Sequence, residues 1–202
     1  MNPQKSPSLS SSFRWLHIPI LLVATAPFAF AHPGHGPAVG LAAGFAHPFS
    51  GWDHLVVMVA VGLWAAQLGG RALWAVPAAF VGTMAGAAVF GHWVGVIPGT
   101  EQGIAASLMV CGLLLAAAVR LPTAGAAALV GVFAVFHGLA HGAEMPATAA
   151  GASFGLGFLA ATALLHAAGV TLGVASARIS SGLPRYAGWG IAAAGAAAVL
   201  VR

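Results

Sequence analysis

Residues 47–62 read HPFSGWDHLVVMVAVG, two histidines and an aspartate at the head of an apolar run. The run is of the kind that crosses a bilayer, and its polar head is what needs explaining. The rest of the chain agrees with a membrane setting. Of 202 residues, 60% are hydrophobic and only 5% are charged, against about 25% charged in an ordinary soluble domain. With a mean hydropathy of +0.95, a soluble domain could not cover itself with polar groups, so this is a membrane protein whose first partner is the lipid bilayer. A formal charge of +4 rests on seven basic residues scattered singly between apolar runs, which excludes a nucleic-acid partner. Cys111 is the one cysteine, inside an apolar run, so it forms no intrachain disulfide and reads as a small packing residue.

Outward from the opening stretch, residues 1–31 carry Lys5 and Arg14 but no acid, then an apolar stretch over 18–30 and the Ala29-Phe30-Ala31 pattern. This is the layout of a signal peptide cleaved after Ala31, with residues 32–202 as a single membrane domain. Six apolar segments follow, at about 39–69, 72–91, 102–119, 124–141, 147–176 and 184–201, most near the roughly 20 residues that span a bilayer. The expected fold is all-α: a polytopic membrane helical bundle of six transmembrane helices, the first broken near Pro48. Proline removes a backbone donor there, and Gly51 follows it. Arg71, Arg120, Arg178 and Arg185 fall in the loops after spans one, three and five, while Glu101 and Glu144 fall in the others. The positive-inside rule then puts both mature termini on the outer, periplasmic side of a bacterial cytoplasmic membrane. The Gly82/Gly86 and Gly151/Gly155 pairs have the small-xxx-small spacing of close helix packing, and Trp64, Trp74, Trp93 and Trp189 sit near span ends as an interfacial belt. A homo-oligomer is compatible with these features.

Eight of the nine histidines lie beyond the leader, and most cluster toward the outer face. His32 and His35 are in the outer segment, His92 ends span two, and only His166 falls in an inner half. In span one, His47 and His54 are seven residues apart, and Asp53 precedes His54. In span four, FHGLAHGAE puts His137, His141 and Glu144 at i, i+4 and i+7, on one helical face. Two histidines at i and i+4 can grip one metal ion. A mid-bilayer aspartate costs about 2.5–3.5 kcal/mol on insertion scales, and no membrane-embedded Lys or Arg is placed to offset Asp53. Imidazolium or a bound metal ion remains as its partner. Imidazole nitrogens with a few carboxylates suit late first-row divalent metals, and spacing does not choose among Ni, Zn, Cu and Co. Plainer roles are open too. His166 reads equally as an interhelical hydrogen-bonding residue, His92 as a solvated interfacial one, and Asp53 with His54 as a proton relay or a structural pair.

The HPFSGWDH stretch matches an H-x5-D-H pattern, and FHGLAHGAE matches F-H-G-x-[AV]-H-G-x-E. With both motifs in this order, the chain resembles the HupE/UreJ family of nickel transporters. The resemblance implies a secondary permease that takes up Ni²⁺, in some members Co²⁺, for nickel enzymes such as hydrogenase or urease. Ni²⁺ is then the transported substrate, and no prosthetic group is implied. It also implies that His47, Asp53, His54, His137, His141 and Glu144 are the metal positions, with His32, His35 and His166 as further stops on the path. A metal-dependent intramembrane hydrolase, with a metal-activated water and Glu144 as base, is the alternative from another class, and a membrane metal sensor is a third.

Imidazole binds a metal only when neutral, so protons compete with the ion. Uptake is expected to weaken as the outside pH falls through the histidine range of about 6–7 and to level off above it. Initial metal-uptake rates across that range check this, and a flat profile would argue against histidine ligation.

Overall fold

A computed structural model of the chain describes residues 40–145, 149–180 and 182–201. The expected signal peptide (1–31), His32 and His35 lie outside the described residues. Every regular element among the described residues is helical, as an all-α fold requires. The first apolar segment forms α1 (Leu41–Ala46), a 3₁₀ turn (His47–Phe49) and α2 (Trp52–Leu68). The others form α3 (Ala72–Val94), α4 (Thr100–Ala116), α5 (Thr123–Glu144), α6 (Ala149–Ile179) and α7 (Leu183–Val201), one helix on each. Among the described residues, three helices, α3, α5 and α6, are long and apolar enough to cross a membrane, and the bent α1–α2 pair makes a fourth if counted as one span. At 17 residues, α4 is a shorter apolar helix.

The chain turns through 83° between Leu41–Phe49 and Trp52–Leu68. Pro48 sits within the 3₁₀ turn, and Gly51 is extended (φ −102°, ψ 111°) immediately before α2. The Ser50 hydroxyl donates to the His47 carbonyl at 2.7 Å, closing the turn. Gly51 also leaves space. A Cβ there would lie 3.0 Å from His54 Nδ1 and 3.2 Å from Asp53 Oδ1, pressing on the pair it precedes.

The apolar core is centred on α2, with Val57, Met58, Val61 and Trp64 fully buried against neighbours from α3, α4, α5 and α6. Trp64 therefore departs from the expected interfacial belt, whereas Trp74, Trp93 and Trp189 are exposed as that reading requires. The reason is a partner inside the protein: its indole N–H donates to the Val119 carbonyl at 3.0 Å, just beyond the end of α4. The last carbonyls of a helix have no partner within it. Gln67 from α2 and Arg185 from α7 donate to two others at that end, Leu115 at 3.2 Å and Ala116 at 3.0 Å. Cys111 is buried and free, in keeping with a packing role.

Helices approach most closely through glycine, but not at every expected pair. Gly82 and Gly86 have no atom of another described element within 4 Å of where a Cβ would stand, so among the described residues no helix packs against them. The close approaches lie elsewhere. Gly112 meets Gly188 and Ala192 across α4 and α7, Gly62 meets Gly169 across α2 and α6, and Gly138 and Gly142 meet Met84 and Ala88 across α3 and α5. Spacing alone could not separate these sets, because it says nothing of which face another helix covers. Gly112→Ala, whose new methyl would overlap α7 backbone, should destabilise the protein by about 1–3 kcal/mol. Gly82→Ala, facing open space, should be neutral or slightly stabilising through helix propensity. Thermal unfolding of the two variants in detergent, alongside the parent, compares them, and an equal loss in both would refute this packing.

Candidate metal centre

The 83° bend brings the two halves of the first apolar segment to the same face of α5. His47, on the 3₁₀ turn, and His54, in the first turn of α2, both reach His141, with ring centroids 5.0 Å and 4.6 Å away. His54 also meets His137 edge-on at 5.0 Å. Seven residues of continuous helix would have stacked His47 and His54 along one face. The bend instead sets them on separate elements, both in contact with His141.

Among the described residues two groups of potential metal donors result, and His141 belongs to both. One comprises His54, His137 and His141; the other comprises His47, His141 and Glu144. Within each, one donor atom per residue lies within 4.8 Å of the others. The i, i+4, i+7 series on α5 thus serves both groups, with His137 in the deeper and Glu144 in the shallower. The shallow group is an ion-pair cluster. His47 Nε2 lies 3.3 Å from Glu144 Oε2, a carboxylate that is 60% exposed. His141 Nδ1 lies 3.7 Å from the same oxygen, too long for a hydrogen bond. The deep group is more enclosed: His137 is fully buried, His141 is 5% exposed, and His54 is partly buried. Phe154 and Phe158 of α6 form an aromatic wall, 5.4 Å from His47 and 4.2 Å from His141 respectively.

Asp53 belongs to neither group. Its Oδ1 accepts from the His54 backbone N–H at 2.8 Å and stands 2.9 Å from His54 Nδ1. A carboxylate only accepts, so in the neutral ring Nδ1 carries the proton and Nε2 presents its lone pair. Position in the first turn of α2 also favours the negative charge, through the helix dipole. The aspartate read as charge compensation is therefore also the group that orients a histidine, in the manner of carboxylates behind metal-bound imidazoles.

His166 lies apart on α6, behind Phe80. The Phe80 ring is 5.4 Å from His137 and 5.0 Å from His166. His166 Nδ1–H donates to the Thr162 carbonyl at 2.8 Å, leaving Nε2 buried and without a partner. His92 stands at the end of α3 beside Trp93, outside both groups.

The chemistry of the donor set is legible in what is left unpaired. His54 Nε2, His137 Nδ1, both nitrogens of His141 and His166 Nε2 are buried with no hydrogen-bond partner. An unsatisfied buried polar group costs about 1–3 kcal/mol, and native proteins leave few of them. Several imidazole nitrogens converging without partners fit a cation better than they fit packing. Three imidazoles, or two with a carboxylate, are donors for a late first-row divalent ion.

Besides Phe154 and Phe158, two more side chains near these rings were not singled out in the sequence. Phe80 separates His137 from His166, and Ser107 of α4 stands 3.0 Å from His137 Nε2. Phe80 carries no polar signal. Ser107 does, as a lone hydroxyl in an apolar run, but nothing local ties it to a histidine 30 residues away.

Each charge sign has its own cavity. Glu101 and Glu144 line one of about 380 Å³ beside the start of α4 and the end of α5. Arg120 and Arg185 line another of about 360 Å³ beside the end of α4 and the start of α7.

The profile of the HupE / UreJ protein family matches residues 20–198, a span that includes every donor described above. The chain is also similar to Protein HupE of Rhizobium leguminosarum bv. viciae, 46% identical over 178 residues that cover 87% of this chain and 92% of that one. No solved structure matches it. A hydrolytic role for the histidines and carboxylates gives way before these matches. With its apolar helices and both histidine motifs inside the matched region, this multi-pass membrane protein belongs to the HupE/UreJ family, a family of metal transporters and not of enzymes.

Proposed function

We propose that the protein is a secondary permease that takes up Ni²⁺, with Co²⁺ as the nearest competitor, across the bacterial cytoplasmic membrane. The reading rests on one observation above the rest: two donor groups share His141 and lead from the exposed Glu144 to the fully buried His137. In it, residues 1–31 are a cleaved signal peptide and the mature chain crosses the membrane six times, the bent pair counting as one span broken at Pro48. Both mature termini are periplasmic. The separation of the acidic cavity from the basic one supports that orientation.

His32 and His35 raise the local metal concentration outside. His47 and Glu144 receive the ion, and the carboxylate supplies charge where water is still at hand. His141 passes it to His54 and His137, with Asp53 balancing charge behind His54. His166 Nε2 is the next donor inward, past the Phe80 ring. Each group offers three donors, and incomplete ligation of that kind lets an ion leave as well as arrive. The sequence carries no G-x-x-x-x-G-K-[ST] nucleotide-binding motif, so movement is downhill, with the membrane potential favouring cation uptake. The ion delivered serves a nickel enzyme, a hydrogenase or a urease.

Proteoliposomes loaded with a nickel chelator test the reading. The parent protein should accumulate Ni²⁺, and excess Co²⁺ should compete more than excess Mg²⁺. His137→Ala and Asp53→Asn should each lower the rate at least about tenfold, the scale of losing a ligand or the carboxylate that orients one, at unchanged membrane abundance. Saturable Ni²⁺ binding without flux would mark a sensor instead. Undiminished flux in both variants would remove the site assignment.

A further inference from the structure

We propose that Ser107 is a positioning residue that holds His137 in its Nε2–H tautomer, so that Nδ1 is the nitrogen offered to the ion. The inference rests on the proposed role of His137 as a ligand, but its argument is one of proton count. The Ser107 hydroxyl has a single hydrogen, and it donates that hydrogen to the Ile104 carbonyl of its own helix at 2.6 Å. Toward His137 Nε2, 3.0 Å away, the oxygen can then only accept. Nε2 must carry the ring proton, and Nδ1, buried with no hydrogen-bond partner, keeps its lone pair.

The opposite tautomer fails on the same count. A proton on Nδ1 would be a buried donor with no acceptor. Ser107 would have to turn its hydrogen away from Ile104 to satisfy Nε2. Both residues are fully buried, so water relieves neither cost. His54 and His166 are held by the same logic, through the Asp53 carboxylate and the Thr162 carbonyl, but with the sense reversed. Their Nδ1 is the protonated atom and Nε2 the free one. Of these three histidines, His137 is therefore the one that presents Nδ1, and the residue that makes it so comes from α4, outside both sequence motifs.

The test needs two readouts. In ¹⁵N-histidine-labelled, metal-free protein in lipid, the His137 ring should show a protonated Nε2 and a bare Nδ1, and Ser107→Ala should shift it toward a mixture of tautomers. In proteoliposomes, Ser107→Ala should raise the KM for Ni²⁺ about 10- to 100-fold, the range for loss of a group behind a metal ligand, at unchanged membrane abundance. Ser107→Thr, which keeps the oxygen, should restore both the tautomer and the KM. A protonated Nδ1 in the parent protein, or a parental KM in Ser107→Ala while His137→Ala is inactive, overturns the inference. Normal uptake by His137→Ala would instead overturn the site itself, and the tautomer measurement would still stand on its own.

Discussion

A carboxylate that is 5% exposed inside an apolar helix bundle has to be held by something, and Asp53 is held where a helix begins. The first turn of α2 offers it the favourable end of the helix dipole, the His54 amide and the His54 ring. That arrangement has α2 start at Trp52, directly after the bend, and a side chain at Gly51 would press on the Asp53–His54 pair. The bend in turn puts His47 and His54 on different elements, both in reach of His141. Placing one buried charge thus constrains the turn, the helix start and the convergence of three histidines.

The histidines differ in exposure, and the difference has a physical sense. Glu144 and His47 are accessible, so a hydrated ion can exchange water for them one ligand at a time. His137 and His166 are almost completely buried, where a cation is stable only while ligands replace its water. His141 spans the transition because it belongs to both groups. No single element could supply this gradient. The 3₁₀ turn, α2, α5 and α6 contribute its rings, and the glycine contacts of α5 with α3 and of α2 with α6 hold these helices close.

Much of this was legible in the sequence. Hydropathy marked the apolar segments, and each carries a helix. The motif spacing put His137, His141 and Glu144 on one helical face, because 3.6 residues per turn is a local property. The charge shortage made Asp53 conspicuous. Other features were not legible, for reasons particular to each. Trp64 looked interfacial because the carbonyl that satisfies it comes from Val119, 55 residues away. Gly82 and Gly86 have packing spacing, but among the described residues no helix lies beside them. Phe80 has the chemistry of any core residue.

What the sequence by itself determined is the solvent and the chemistry: a bilayer, because so few charges cannot cover so much apolar surface, and nitrogen donors for a soft-to-borderline cation, because the polar residues left inside are mostly histidine. What only the tertiary structure decided is grouping and protonation. It divides the six motif residues into two donor groups joined at His141, with Asp53 standing behind them as a support. Through Ser107 of a separate helix it leaves His137 Nδ1 bare, whereas His54 and His166 are held by local partners, the adjacent Asp53 and the Thr162 carbonyl one turn back. Helical period sets the face a side chain occupies, and it also brings the Thr162 carbonyl to His166, but distances between helices, and a ring partner such as Ser107 from another helix, arise only when separate segments pack.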